Sequence, residues 1–344
     1  MAAANDILLI RLKSIGDIVF TLPAVHVIRE NFPGAKISFL TSREHAPLLA
    51  GFREVDETLT VDRARFQSGN PAAILAETYS LLRRVRRGHF SLVVDFQGYG
   101  ETAWLAWLSG APQRWGGVYG PGRSWAYTQG VPRDVRLHHA ERYLAVLEQC
   151  GLRSGKLVNE FVLPERALEE ARRFFAENHL DSAKPTLFIQ PFTSSANKNW
   201  PLDRYLAVAQ HWREKGMQVL FGGGPAERMA LEPVRQAGFI VSAGVPLLTT
   251  GGLMKLASLV LGGDTGALHL AVAMGRRVVL IVNANAAQKC HPFQHPDWAL
   301  TPPAGKPINE VEAATVREAC ERALLEPASP ASAPAAPGGL LNRS

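Results

Sequence analysis

The chain has 344 residues, long enough for two globular domains of ordinary size, and its 47% hydrophobic and 20% charged content excludes a disordered or fibrous protein. No apolar run approaches the ~20 residues of a membrane span. The short run Ile7–Ile10, followed at once by Arg11 and Lys13, lacks the plan of a signal peptide, so a cytoplasmic protein is expected. A net charge of +6 favours anionic partners, while the aromatic-plus-basic pattern of a nucleic-acid module is missing and no nucleic acid is expected.

Ile7–Leu12 reads as a strand, the stretch Arg11-Leu-Lys-Ser-Ile-Gly-Asp17 as a tight turn, and Ile18, Leu22, Val25 and Ile28 as one face of a helix. Gly16 permits the sharp turn. Asp17 falls in the first helical turn, at the carboxyl edge of the sheet where open α/β sheets bind ligands. It either caps the helix or faces a cleft and accepts a proton. Further strands are expected at Lys36–Leu40, Glu57–Val61 and Leu92–Phe96, with helices starting near His45 and Pro71. Asn31–Gly34 ends the first helix. The cluster Arg83–Arg87 closes the helix marked by Ile74, Leu75, Tyr79 and Leu82, where cations suit the helix dipole; the same cluster suits a lipid surface. His138–Cys150 reads as one more helix.

The turn-prone segment Gly151–Leu163 is the expected boundary, dividing the chain into domains at 1–158 and 159–326. Alternation then restarts: helix Glu165–His179, strand Thr186–Gln190, helix Pro201–Lys215, strand Gln218–Phe221 and helix Ala226–Gly238. A strand near Leu261, helix Ala267–Gly275, strand Arg277–Val282 and helix Val311–Leu325 follow. This βαβ rhythm predicts two doubly wound parallel sheets. Residues 327–344, rich in Ala, Ser, Pro and Gly, read as a disordered tail. Cys150, Cys290 and Cys320 are too widely spaced for a disulfide framework. Cys290-His291 with His295 lacks a second ligand pair, so no metal site is expected.

Three strand ends in the second half carry ligand-binding chemistry. Gly262-Gly-Asp-Thr-Gly266 opens a helix whose amino end accommodates a pyrophosphate. His269 lies one turn on from Thr265 and shares its face. Thr193 and Ser194 offer hydroxyls and Lys198 a cation before Pro201. Phe221-Gly-Gly-Gly-Pro-Ala-Glu227 is a glycine-rich turn with a carboxylate suited to a ribose or base. Together they describe a nucleotide-diphosphate pocket, although capping by Asp264 alone would also explain its motif.

With Lys13-Ser-Ile-Gly-Asp-Ile-Val19, Thr21-Leu-Pro-Ala24, Leu92-Val-Val-Asp-Phe-Gln-Gly98 and Arg142-Tyr143, these motifs resemble the ADP-heptose:lipopolysaccharide heptosyltransferases, glycosyltransferase family 9. The resemblance runs from Ile7 to about Leu325. It implies the GT-B architecture, two Rossmann-like domains facing a central cleft, and inverting transfer without a metal or cofactor, the ADP-sugar being the donor substrate. It implies Asp17 as general base and Lys198 as the cation that neutralises the leaving diphosphate. It implies Thr193, Ser194, Glu227, Asp264, Thr265, Gly266 and His269 as nucleotide-sugar contacts. Lys13, Gly16, Arg63 and Arg65 fall on the side of an anionic, lipid-linked saccharide acceptor, with peripheral contact at the inner face of the cytoplasmic membrane.

One departure stands out. Relatives of this kind place a full helix and a buried strand before Asp-Thr-Gly, whereas Leu253–Gly263 leaves eleven residues (253 to 263 inclusive) for both. A short helix, a four-residue strand and a rearranged pocket floor are expected. A nucleotide-sugar epimerase of the same architecture and a non-catalytic nucleotide-sugar-binding relative remain alternatives. A dehydrogenase is not expected, because Lys13–Asp17 is not G-x-G-x-x-G.

Overall fold

The computed structural model describes residues 4–325 apart from Ser154; the expected tail lies outside them. The first half runs β1 (Asp6–Ile10), α1 (Ile15–Val19), α2 (Leu22–Asn31), β2 (Lys36–Ser42), β3 (Glu57–Val61), α3 (Arg63–Gln67), α4 (Pro71–Arg87), β4 (Leu92–Asp95), α5 (Gly100–Leu108), β5 (Gln113–Val118), β6 (Gln129–Pro132) and α6 (His139–Gln149). The second runs α7 (Glu165–Glu177), β7 (Thr186–Gln190), α8 (Leu202–Glu214), β8 (Gln218–Gly223), α9 (Glu232–Gln236), β9 (Ile240–Ala243), α10 (Leu247–Leu256), β10 (Leu259–Gly263), α11 (Gly266–Ala273), β11 (Val278–Ile281), α12 (Ala284–Cys290), β12 (Ala299–Leu300) and α13 (Ala313–Leu325).

Each half forms a six-stranded, fully parallel sheet with its strands ordered 3-2-1-4-5-6 by their place in that half: β3-β2-β1-β4-β5-β6 and β9-β8-β7-β10-β11-β12. The order reverses between β1 and β4 in one sheet and between β7 and β10 in the other. Chains leave these neighbouring strands toward opposite faces, which opens a crevice at their carboxyl ends. The central strands read as continuous apolar runs because helices cover both faces; Ile7–Ile10 and Leu187–Ile189 are wholly buried. One buried cluster passes from α2 and α6 through Phe161 to α11, so the two halves share apolar contacts. In the segment joining them, the Phe161 N–H donates to Ala273 O (2.8 Å) and the Val162 N–H to Gly51 O (3.0 Å).

Several expectations are corrected. The first helix is two helices, because Pro23 lacks an N–H and sits in the first turn of α2. The stretch from His45 is a 3₁₀ run over Arg43–Gly51 with Pro47 inside it. The helix expected over Ala226–Gly238 divides into a 3₁₀ turn (Pro225–Glu227) and the short α9, whose start is set by Pro233. The shortened segment before Asp264 does not exist: α10 starts at Leu247 and has ten residues, and β10 has five. Gly251-Gly252 reads as a helix breaker but lies inside α10, where a Cβ on Gly252 would stand 2.6 Å from Ala167 O and from Ala171 Cβ of α7. The glycines let two helices pack backbone to backbone, and the pocket floor has its full helix and strand.

Candidate active site

The carboxyl ends of β1, β7, β8 and β10 converge on a cavity of about 600 Å³ between the two sheets. Of the expected residues, Gly16, Asp17, Thr193, Ser194, Lys198, Glu227, Asp264, Thr265, Gly266 and His269 all line it. Lys13, Arg63 and Arg65 do not. Arg63 lines a separate groove beside α4 and α5, and Arg65 pairs with Asp62 (3.6 Å) and Glu77 (3.5 Å).

Asp17 both caps and faces the cavity. It is the third residue of α1, and its Oδ2 accepts from the Ser14 N–H (3.2 Å) and the Ser14 hydroxyl (3.1 Å). The same oxygen lies 2.7 Å from Arg11 Nη2, and Oδ1 lies 3.5 Å from His139 Nδ1. Burial pushes the carboxyl upward, but the Arg11 guanidinium, the Ser14 N–H and His139 outweigh it and leave Asp17 below its ordinary range. Burial holds His139 down at about 4, so the ring beside the carboxylate is neutral at neutral pH. Arg11, Ser14 and His139 escaped the sequence reading, although an arginine closing the apolar run Ile7–Ile10 is a visible signal.

Loop 11–17 is braced from the neighbouring strand. Asp95, at the end of β4, accepts from Tyr127 Oη (2.7 Å) and from the N–H groups of Gln97 (2.8 Å) and Gly98 (2.9 Å). Gln97 Oε1 then accepts the Leu12 N–H (2.9 Å), and Arg11 Nη1 donates to Phe96 O (3.2 Å). The motif Leu92–Gly98 therefore holds the Asp17 turn in place.

On the opposite wall Thr265, not Asp264, caps α11, its hydroxyl accepting the Leu268 N–H (3.4 Å). That leaves the Asp264 carboxylate to bind Lys198 Nζ (2.9 Å) through Oδ2 and to meet His269 Nε2 (3.0 Å) through Oδ1. Burial opposes its charge; His269 and Lys198 prevail and lower it to about 2. Burial likewise opposes the Lys198 cation, and Asp264 raises it. The Thr193 N–H and hydroxyl both donate to Asn199 Oδ1 (2.8 and 2.9 Å), which shapes the loop that presents Lys198. Glu227 folds back to accept the Gly224 N–H and closes the glycine-rich turn. Cys290 also lines the cavity, its thiol pushed up to about 12 by burial and by Asp264.

The walls meet at two glycines. A Cβ on Gly266 would stand 2.6 Å from Ile15 Cβ and 2.7 Å from Gly16 N. This close approach sets α1 against α11 and holds Asp17 and the Asp264–Lys198 pair in one cavity. Phe20 packs beside them, its ring 4.4 Å from that of His269.

Two Rossmann-like domains with facing switch points, a carboxylate on one wall and a lysine beside a helix amino end on the other, define a protein of GT-B architecture. Residues 78–309 match glycosyltransferase family 9 (heptosyltransferase), and the chain belongs to that family. It is similar to the lipopolysaccharide core heptosyltransferase OpsX of Haemophilus influenzae, with 22% identity over 91% of each chain. Its fold is that of a family 9 glycosyltransferase from Veillonella parvula (TM-score 0.84, 20% identity, 93% of this chain and 97% of that one). The Escherichia coli heptosyltransferase WaaC, solved with ADP, shares it as well (TM-score 0.77, 19% identity, 92% and 99%). Among the described residues no helix is long and apolar enough to cross a membrane.

Proposed function

We propose that this enzyme transfers a heptose, with inversion and without a metal, from ADP-heptose to a lipopolysaccharide-core-type saccharide that is anionic and lipid-linked. The reading rests on one observation: a single cavity joins Asp17 of the first domain to Lys198 and the start of α11 of the second. The ADP moiety of the donor lies along the second wall, with its ribose and base toward Glu227 and its diphosphate toward Lys198, Thr265 and Gly266. OpsX acts on a lipopolysaccharide core by its name, and WaaC binds ADP, which supports this choice of donor and acceptor.

In the reaction an acceptor hydroxyl attacks the anomeric carbon, the bond to the diphosphate breaks, and the hydroxyl proton passes to Asp17. Charge gathering on the leaving diphosphate is met by Lys198, held in position by Asp264 and His269, and by the unpaired N–H groups of α11. Asp17 is a weak base, since Arg11 and Ser14 stabilise its charge. It therefore takes the proton late, as the hydroxyl oxygen bonds to carbon and becomes acidic. Gly16 lies where acceptor and donor walls touch, while Lys13, Arg63 and Arg65 stand outside the cavity and would meet only the more distant anionic groups of the acceptor. The protein works in the cytoplasm, at the inner face of the membrane that carries the acceptor.

The test is an incubation with a panel of ADP- and UDP-sugars and a deacylated core saccharide, in EDTA, with free nucleotide and product anomer measured by NMR. ADP released from ADP-heptose with an inverted linkage is expected. Retention of configuration, or no nucleotide released from any donor, overturns the proposal.

A further inference from the structure

The first domain carries an aromatic, arginine-rimmed face that the reaction does not use. Helix α5 is apolar nearly all round, yet its outer side is open: Trp104 is 52% and Trp107 47% exposed. Both pack against the exposed Trp125, with ring centroids 4.6 and 6.0 Å away. Helix α4 runs beside α5 with Leu75 70% and Tyr79 65% exposed at i, i+4 spacing. Between the two helices lies an apolar groove of about 350 Å³, walled by Leu81, Leu82, Trp104, Leu105 and Leu108. Large exposed apolar residues scattered singly need no explanation, but a contiguous patch with its own groove does.

Arginines surround this patch. Arg63 lines the groove, Arg86 reaches from α4 to Leu108 O (2.9 Å) at the end of α5, and Arg123 reaches to Gly98 O (3.2 Å) beside Tyr99. Arg83 and Arg87 extend the cationic end of α4, with no ion pair among the described residues; Glu77 is taken by Arg65 (3.5 Å) and Arg84 (3.7 Å). Glu101 is the carboxylate lining the groove. Tryptophan and tyrosine with long cationic side chains around an apolar centre match the headgroup layer of an anionic bilayer: rings enter at the interface and guanidinium groups pair with phosphates.

Position favours the same partner. Leu12 lines the groove and Ser14, two residues on, lines the reaction cavity. Groove and cavity thus lie on either side of the loop that carries Asp17. We infer that the Trp104–Trp107–Trp125 face, with the α4–α5 groove and its arginines, is the docking surface for an anionic lipid bilayer. It seats the enzyme so that a membrane-anchored acceptor meets Asp17. The inference rests on the acceptor being lipid-linked, as proposed above.

The test uses the full chain and vesicles of phosphatidylcholine with or without phosphatidylglycerol, read by cosedimentation. The wild type is expected to bind anionic vesicles and to be released as salt rises from about 0.05 to about 0.5 M, where screening shortens to a few ångströms. Trp104→Ala with Trp107→Ala should weaken binding at least about tenfold, and Leu75→Glu, on a side chain already in solvent, should weaken it without disturbing the fold. ADP release with the deacylated acceptor should stay at the wild-type rate in both variants, checked beside circular dichroism. Absent vesicle binding at low salt, or unchanged binding by both variants, overturns the inference. A wild-type dimer that these variants dissociate overturns it in favour of a second copy of the chain. Loss of ADP release in the wild type with vesicle binding intact would sink the proposed reaction instead.

Discussion

Asp17→Asn is the most informative single substitution, because Asp17 is cap and counter-ion in the structure and base in the proposed reaction. The amide keeps one oxygen and can still accept the Ser14 N–H, so the local cap of α1 survives. The ion pair with Arg11 does not. Arg11 is 5% exposed and, among the described residues, its guanidinium retains Phe96 O and the Tyr143 ring, 5.7 Å away. The cost lies between a lost charge-assisted hydrogen bond, about 1.5–3 kcal/mol, and an orphaned buried ion, about 3–5 kcal/mol; about 2–4 kcal/mol is expected. An Asn also cannot take the proton, so turnover should fall by roughly 10²–10⁴-fold, while ADP affinity, set by the other wall, changes little. Urea unfolding, ADP-release kinetics and ADP calorimetry on one preparation measure all three. Introducing Arg11→Met separates them: on that background Asp17→Asn should cost little stability and still abolish turnover. Near-normal turnover in folded Asp17→Asn refutes the base, and an unchanged unfolding free energy refutes the counter-ion.

Lys198→Ala should lower kcat/KM by roughly 2–4 kcal/mol of transition-state stabilisation and weaken ADP binding, with a small fall in the unfolding midpoint because the buried Asp264 keeps His269 but loses its lysine; unchanged steady-state kinetics would contradict its role. Gly252→Ala should destabilise by about 1–3 kcal/mol through overpacking against α7, opposite in sign to the ~1 kcal/mol that alanine gains over glycine in an open helix, and thermal unfolding decides the sign. Acid should destabilise the protein from about pH 6.5 downward. His138 is held neutral by burial and by neighbouring His291, its folded value near 3 against 6.5. Its Nδ1 accepts the Ala140 N–H (3.1 Å) and its Nε2 donates to His291 O (3.0 Å). The unfolded chain therefore binds the extra proton between pH 6.5 and about 3, and stability falls as pH falls. His139 adds to this down to about 4, and Asp17 and Asp264 add below their ordinary 3.8. His138→Asn, which can keep the Ala140 cap, should lessen the slope of unfolding free energy against pH by about 1.4 kcal/mol per unit in that window; an unaltered slope counts against the assignment.

Much of this molecule follows from local signals in the chain. Strand β7 begins and ends where an apolar run meets turn residues, because a strand buried on both faces is apolar throughout. Asp17, Lys198 and the Asp264–His269 turn were legible because glycine, hydroxyl and charge at a strand end suit ligands better than packing. What the sequence left open lies in contacts between distant segments. Gly251-Gly252 reads as a break by propensity, and only the closeness of α7 shows why it continues a helix. Asp264 reads as a cap until Thr265 is seen to do that work, freeing the carboxylate for a lysine 66 positions away. Arg11 and His139 reach Asp17 from a strand end and from a helix more than a hundred residues later, and no periodicity connects them. Local patterns record which face of an element is buried; which charges share that burial is decided when two sheets close on one cavity.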